Sequence, residues 1–123
     1  MMVLVDTSVW IRAFHGQEPY ATEAYGLLDR YEMAGHELIY GELLIGDRGG
    51  RKNFLAFYEL MYQARNVPHE TVVALVRHRG LHGAGIGWID AHLLTSALAE
   101  GFKLWTADAN LAMVAKDFGI AYK

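Results

Sequence analysis

Short apolar runs of strand length, each closed by a polar residue or a glycine and followed by residues at helical spacing, are what most restrict the folds open to this chain. Val3-Leu4-Val5 is continuous and apolar, the pattern of a strand covered on both faces. Asp6-Thr7-Ser8 then supplies capping chemistry for a helix over Val9 to Phe14, which Gly16 breaks. A second helix is predicted from Ala21 to Met33, with Ala24, Leu27, Leu28 and Tyr31 on one face and Gly35 behind it. Glu37 to Tyr40 reads as a strand feeding a short helix from Gly41 to Ile45. Further on, Phe54, Leu55, Phe57, Tyr58, Met61 and Tyr62 form a helix face, and after Pro68 a helix is predicted from His69 to His78. Trp88 to Glu100 is a helix ended by Gly101, Phe102 to Trp105 a strand, Asp108 the cap of a helix through Ala115, and Gly119 to Tyr122 a last short strand. Short strands separated by helices imply an α/β layer structure with a mostly parallel sheet.

That alternation gives meaning to four acids set in apolar surroundings. Asp6 follows Val3-Leu4-Val5, Glu42 stands between Leu38-Ile39-Tyr40 and Leu43-Leu44-Ile45, Asp90 lies within Trp88-Ile89-Asp90-Ala91-His92-Leu93-Leu94, and Asp108 comes two residues after Leu104-Trp105-Thr106. Asp6 and Asp108 are expected at or just past the C-terminal ends of strands, and Glu42 just beyond a third, in the opening turn of a helix. Ligands bind at that edge of a parallel sheet. Asp90 has to reach the same edge from the first turn of its helix. Each acid also has a local explanation: Asp6 and Asp108 as helix caps, Glu42 and Asp90 as first-turn acids favoured by the helix dipole.

Taken together, the four point to a cation. Carboxylates about 4 Å apart repel by roughly 4 kcal/mol per pair at an effective dielectric near 20, so an empty cluster takes up protons and a divalent ion relieves it. Oxygen ligands without cysteine favour Mg²⁺ or Mn²⁺ over Zn²⁺. His78 and His82 have the spacing of a zinc helix, but Gly80 lies between them and a surface pair is expected; His92 is expected on the helix surface or the site rim.

Several classes fall away on composition. At 123 residues, 53% hydrophobic and 20% charged, the chain reads as one compact domain, 1–123, and not as a disordered segment. It has no cysteine, which excludes disulfides and thiolate sites. No apolar stretch reaches the ~18 residues of a spanning helix, and Asp6 interrupts the N-terminal run too early for a signal sequence; no membrane association and a cytoplasmic location are expected. With 11 Lys plus Arg against 14 Asp plus Glu the net charge is −3, so a polyanionic substrate needs local help. Arg48, Arg51 and Lys52 after Gly49-Gly50, and the Arg77-His78-Arg79 cluster, are candidates; solvated surface charge is the plain alternative. Gly83-Ala84-Gly85-Ile86-Gly87 follows no strand and lacks the Lys-Ser/Thr ending of a phosphate loop, so it reads as a turn-rich loop.

Val3 to Trp10, Gly41-Glu42-Leu43-Leu44-Ile45-Gly46, Gly87 to Leu94 and Leu104-Trp105-Thr106-Ala107-Asp108 together resemble the ordered motifs of PIN-domain nucleases, and more closely the VapC toxins of bacterial VapBC modules. The resemblance implies a PIN-like three-layer α/β/α fold with a short, mostly parallel central sheet. It implies a Mg²⁺-dependent endoribonuclease, a homodimer, and a VapB-like antitoxin whose C-terminal segment blocks the site. Residue by residue, it makes Asp6, Glu42, Asp90 and Asp108 the metal-binding acids. Asp6 and Asp90 are expected to hold the ion directly, with Glu42 and Asp108 completing the site directly or through water. Thr7 and Ser8 are expected to hydrogen-bond carboxylates or cap the helix. Asn110 stands near the position where some family members place a further acid, so it adds no charge toward a second metal. The competing expectation is a non-catalytic PIN-like module whose acidic groove holds a basic partner peptide.

Overall fold

The computed structural model describes residues 1–123. Its elements are β1 (Val3–Val5), α1 (Thr7–Phe14), α2 (Tyr20–Asp29), β2 (Met33–Ala34), α3 (Glu37–Gly46), α4 (Lys52–Leu60), α5 (His69–His78), α6 (Trp88–Glu100), β3 (Lys103–Trp105) and α7 (Ala109–Asp117). The strands form a parallel sheet in the order β2-β1-β3, with Val3 opposite Met33 and Lys103, and Leu4 opposite Ala34 and Leu104. Single parallel bridges extend it on both sides, Gly35 to Gln63 and Leu104 to Ala121. The last expected strand, Gly119 to Tyr122, is reduced to that bridge, held by Leu104 N–H to the Ile120 carbonyl and Tyr122 N–H to the Leu104 carbonyl.

Val3, Leu4 and Val5 are all buried although their side chains alternate between the two sheet faces, so helices cover both. The result is the expected three-layer α/β/α arrangement. The core joins these strand residues to Val9 and Trp10 of α1, Ile39 of α3, Leu93 and Leu94 of α6, Leu104 of β3 and Leu111 of α7. Each fully buried aliphatic side chain there contributes about 1.5–3 kcal/mol. No helix is long and apolar enough to cross a membrane.

Two expected elements change. The second helix stops at Asp29, and Met33, expected as its last residue, begins the edge strand β2. Tyr31 takes a left-handed conformation at φ 56°, which turns the chain out of the helix and lets the Glu32 carbonyl accept from Val3 N–H. Conversely Glu37 to Tyr40, expected as a strand, is the first part of the continuous helix α3. His36 decides this: its backbone is extended, its Nδ1 accepts from Leu38 N–H at 3.0 Å, and its carbonyl accepts from Tyr40 N–H. His36 is itself fixed in the core, with Nε2 3.0 Å from Ser96 Oγ of α6 and its N–H donating to Tyr58 Oη of α4. Glu42 therefore lies within a helix, not in an opening turn beyond a strand.

Candidate active site

Asp6 is buried at the exit of β1, and its side chain makes no capping bond to α1. Its Oδ2 accepts from two hydroxyls instead, Ser8 Oγ at 2.7 Å and Thr106 Oγ1 at 2.8 Å. These hydroxyls are oriented in turn: Ser8 Oγ accepts from Ala107 N–H at 3.0 Å and Thr106 Oγ1 from Asp108 N–H at 3.0 Å. An ionised carboxylate only accepts, so both hydroxyls donate to Asp6 while each hydroxyl oxygen accepts from a backbone N–H. Both converge on one oxygen, and no protein donor reaches Oδ1. Charge-assisted bonds of this kind fix a carboxylate that would otherwise rotate.

Glu42 arrives from α3, where Ile39 and Leu43 are the buried positions. Thr7 Oγ1 donates to its Oε1 at 2.7 Å, tying the start of α1 to α3. Thr7 and Ser8 thus serve carboxylates and not the helix end. Asp90 sits in the first turn of α6, and its Oδ2 accepts from Gly87 N–H at 3.3 Å. Asp108 does cap its helix, with Oδ1 accepting from Asn110 N–H at 2.8 Å and Leu111 N–H at 3.0 Å. It is exposed, which leaves its other oxygen open.

Asp90 feels the charges of the other three acids. Burial pushes the Asp90 carboxyl above the ordinary carboxylate range; the Gly87 N–H opposes this, and the charges of Asp6, Asp108 and Glu42 push it further up. All five ion pairs of the chain lie elsewhere, between Met1, Arg30, Arg65 or Lys123 and Glu23, Glu32 or Glu100. None of Asp6, Glu42, Asp90 and Asp108 is in an ion pair. No three of these carboxylates close into a cage tight enough to enclose an ion unaided. One or two carboxylates completed by waters is the kind of all-oxygen donor set that Mg²⁺ takes.

Other expected positions resolve as follows. Asn110 Nδ2 donates to the Gly85 carbonyl at 3.3 Å and so anchors the glycine-rich loop before α6. Gly85 has φ +80°, and a Cβ there would lie 2.5 Å from Asn110 Nδ2, so this position requires glycine. His78 and His82 are exposed on the surface. The His92 ring packs edge-on to Trp88 with centroids 5.3 Å apart, and its buried Nδ1 has no partner; burial, then His69, holds its pKa below the ordinary range. Thr106 is the site residue that sequence reasoning left without a role, and its one local signal is a hydroxyl two residues before Asp108 at the end of an apolar run.

The PIN domain family model matches residues 3–117. Ribonuclease VapC32 of Mycobacterium tuberculosis, from strains CDC 1551 and H37Rv, is 39% identical over 121 residues, covering 98% of this chain and 95% of the relative. The crystal structure of PAE2754 from Pyrobaculum aerophilum shares the fold, with a TM-score of 0.59 and 19% identity over 92% of this chain and 84% of that one. A whole-length match of this kind, on a parallel sheet that presents its acids as described, means that the chain belongs to the VapC family of PIN-domain proteins.

Proposed function

We propose that this protein is a Mg²⁺-dependent endoribonuclease that hydrolyses RNA phosphodiester bonds and acts as the toxin of a type II toxin–antitoxin module. The observation that supports the reading is that the charges of Asp6, Asp108 and Glu42 all act on a half-buried Asp90 while none of the four is in an ion pair. Membership of a family that includes a ribonuclease supports RNA as the substrate.

Asp6 and Asp90 would hold the ion directly, and Glu42 and Asp108 would complete the site directly or through water. When bound, Mg²⁺, or Mn²⁺ in its place, would supply charge stabilisation at the phosphate and a more acidic attacking water. The chain's own part is positioning. Ser8 and Thr106 hold Asp6 Oδ2 from one side, so the carboxylate needs no reorganisation when charge develops nearby. Thr7 holds Glu42 Oε1 in the same way. The raised proton affinity of Asp90, set by burial and by its acidic neighbours, is what a bound cation would lower. A homodimer, and a VapB-like antitoxin blocking the acidic groove in the cytoplasm, complete the proposal.

The test is cleavage of RNA by purified protein with Mg²⁺, with EDTA, and after Asp6→Asn or Asp90→Asn. Activity lost in EDTA and in both variants is the expected result. Wild-type activity in both variants would sink the assignment, and RNA bound but left intact under every condition would favour a non-catalytic binding module.

A further inference from the structure

A cleft of about 700 Å³ is lined by the Thr7–Glu42 pair and by the turn after α3. Its volume falls within the roughly 300–1,000 Å³ of sites that hold a small organic group. Its lining is acidic at Glu42 and basic where Arg48 and Arg51 line the wall beside His15. Neither arginine is in an ion pair. The one other carboxylate there, Asp47, is occupied locally by Gly49 N–H at 3.1 Å. In a chain of net charge −3, two unneutralised guanidiniums in one concavity next to an acidic centre are not explained by a general surface charge.

The two arginines are held differently. Arg51 is fixed: its guanidinium carbon lies 3.8 Å from the centroid of the Phe14 ring, and Phe14 packs edge-on against Phe54 with centroids 5.0 Å apart. That anchorage reduces the side-chain freedom an arginine loses when it meets a ligand. Arg48 is exposed on the adjoining turn, where Gly49 and Gly50 take φ of 97° and 112°. His15 directs Nδ1 to the Ile11 carbonyl at 2.8 Å, so Nδ1 carries the hydrogen and Nε2 has no protein partner.

We infer that this cleft is the subsite for the RNA strand on one side of the scissile bond, with Arg48 and Arg51 receiving its phosphodiester backbone. The inference rests on the ribonuclease reading and deepens it. An acidic peptide offers similar anionic chemistry, but RNA is favoured by continuity: Thr7 and Glu42 line this cleft and also belong to the acidic site, so a strand lying across the acids passes directly into the basic end. Guanidiniums match phosphate geometry and also stack on unpaired bases. The acids would set where the strand is cut, and the arginines would set how it is laid in.

The experiment measures binding of a short, unstructured, fluorescein-labelled oligoribonucleotide by anisotropy over a salt series, in an Asp6→Asn background that keeps the RNA intact. Arg48→Ala is expected to weaken binding about tenfold, the lower end of what a charge-assisted hydrogen bond contributes. It should also reduce the slope of log K against log salt by ~0.7, the loss of one single-strand phosphate contact, and Arg51→Ala should do the same. Arg77→Ala, the same charge change on α5, is the control and should leave the slope in place. The inference is overturned if the parent binds RNA but the cleft variants keep its affinity and slope, if Arg77→Ala costs as much, or if the cleft variants lose only an acidic peptide. A parent that neither binds nor cuts RNA overturns the ribonuclease reading itself, a distinguishable failure. Circular dichroism confirms folding, and Arg48→Gln and Arg51→Gln repeat the measurement with less change of shape.

Discussion

Replacing Thr106 by valine keeps the shape of a buried side chain and removes only its hydroxyl, so it isolates the scaffold of Asp6. Three contacts go: the donation to Asp6 Oδ2 at 2.8 Å, the acceptance from Asp108 N–H at 3.0 Å, and a longer hydroxyl–hydroxyl contact with Ser8 Oγ at 3.2 Å. A bond to a charged group is worth about 1.5–3 kcal/mol and a neutral one about 0.5–1.5 kcal/mol. No cavity term adds to these, because valine fills the space. The first two sum to a loss of roughly 2–4.5 kcal/mol, on the order of 10 °C in Tm for a chain of this size. It is read by urea unfolding in EDTA, where no ion can mask it. Ser8 still holds Asp6 after the change, but the carboxylate gains freedom, so the Mg²⁺ concentration for half-maximal RNA cleavage should rise ~10–100-fold, the usual effect of losing a partner of a metal ligand. Thr106→Ser should restore most of both quantities. A valine variant within about 0.5 kcal/mol of wild type in EDTA, with an unchanged Mg²⁺ midpoint, would refute the idea that this hydroxyl orients Asp6.

Two further outcomes follow from titration. Asp90 has a folded-state pKa raised by burial and by its acidic neighbours, so its ionisation destabilises the folded protein as pH rises through that value. In EDTA, Asp90→Asn should therefore be more stable than wild type at neutral pH, with the advantage vanishing in acid once the wild-type carboxyl is protonated; a constant gap across pH in urea midpoints contradicts this. His36 has the opposite sign. Burial holds its pKa below the ordinary 6.5, so the stability of its neutral form is full above that value and declines as pH falls through it. His36→Asn, which keeps a capping acceptor, should be less stable at pH ~7 but lose less on acidification, so the two unfolding curves should converge toward pH ~5; parallel curves exclude His36 as a source of acid sensitivity.

The sequence by itself determined β1, the bounds of α5 and α6, and the identity of the acids, because in each case the signal is local. Val3-Leu4-Val5 is too short and too apolar for anything but a covered strand, Pro68 and Gly101 punctuate their helices, and a carboxylate amid apolar neighbours is conspicuous wherever the chain goes. What the tertiary structure decided lies where the deciding partner is remote. Leu38-Ile39-Tyr40 has strand composition, yet it is helical because His36, held by Tyr58 and Ser96 from 22 and 60 residues away, caps it. Met33–Ala34 is a strand because Val3 and Leu4 pair with it. The bond from Thr106 to Asp6 spans 100 residues, and the Thr7–Glu42 bond spans 35. A short apolar run carries no information about which face will be covered, and a hydroxyl none about which carboxylate it will meet. Those choices are set by the packing of the whole chain, which tied Asp6 to Ser8 and Thr106 and Glu42 to Thr7.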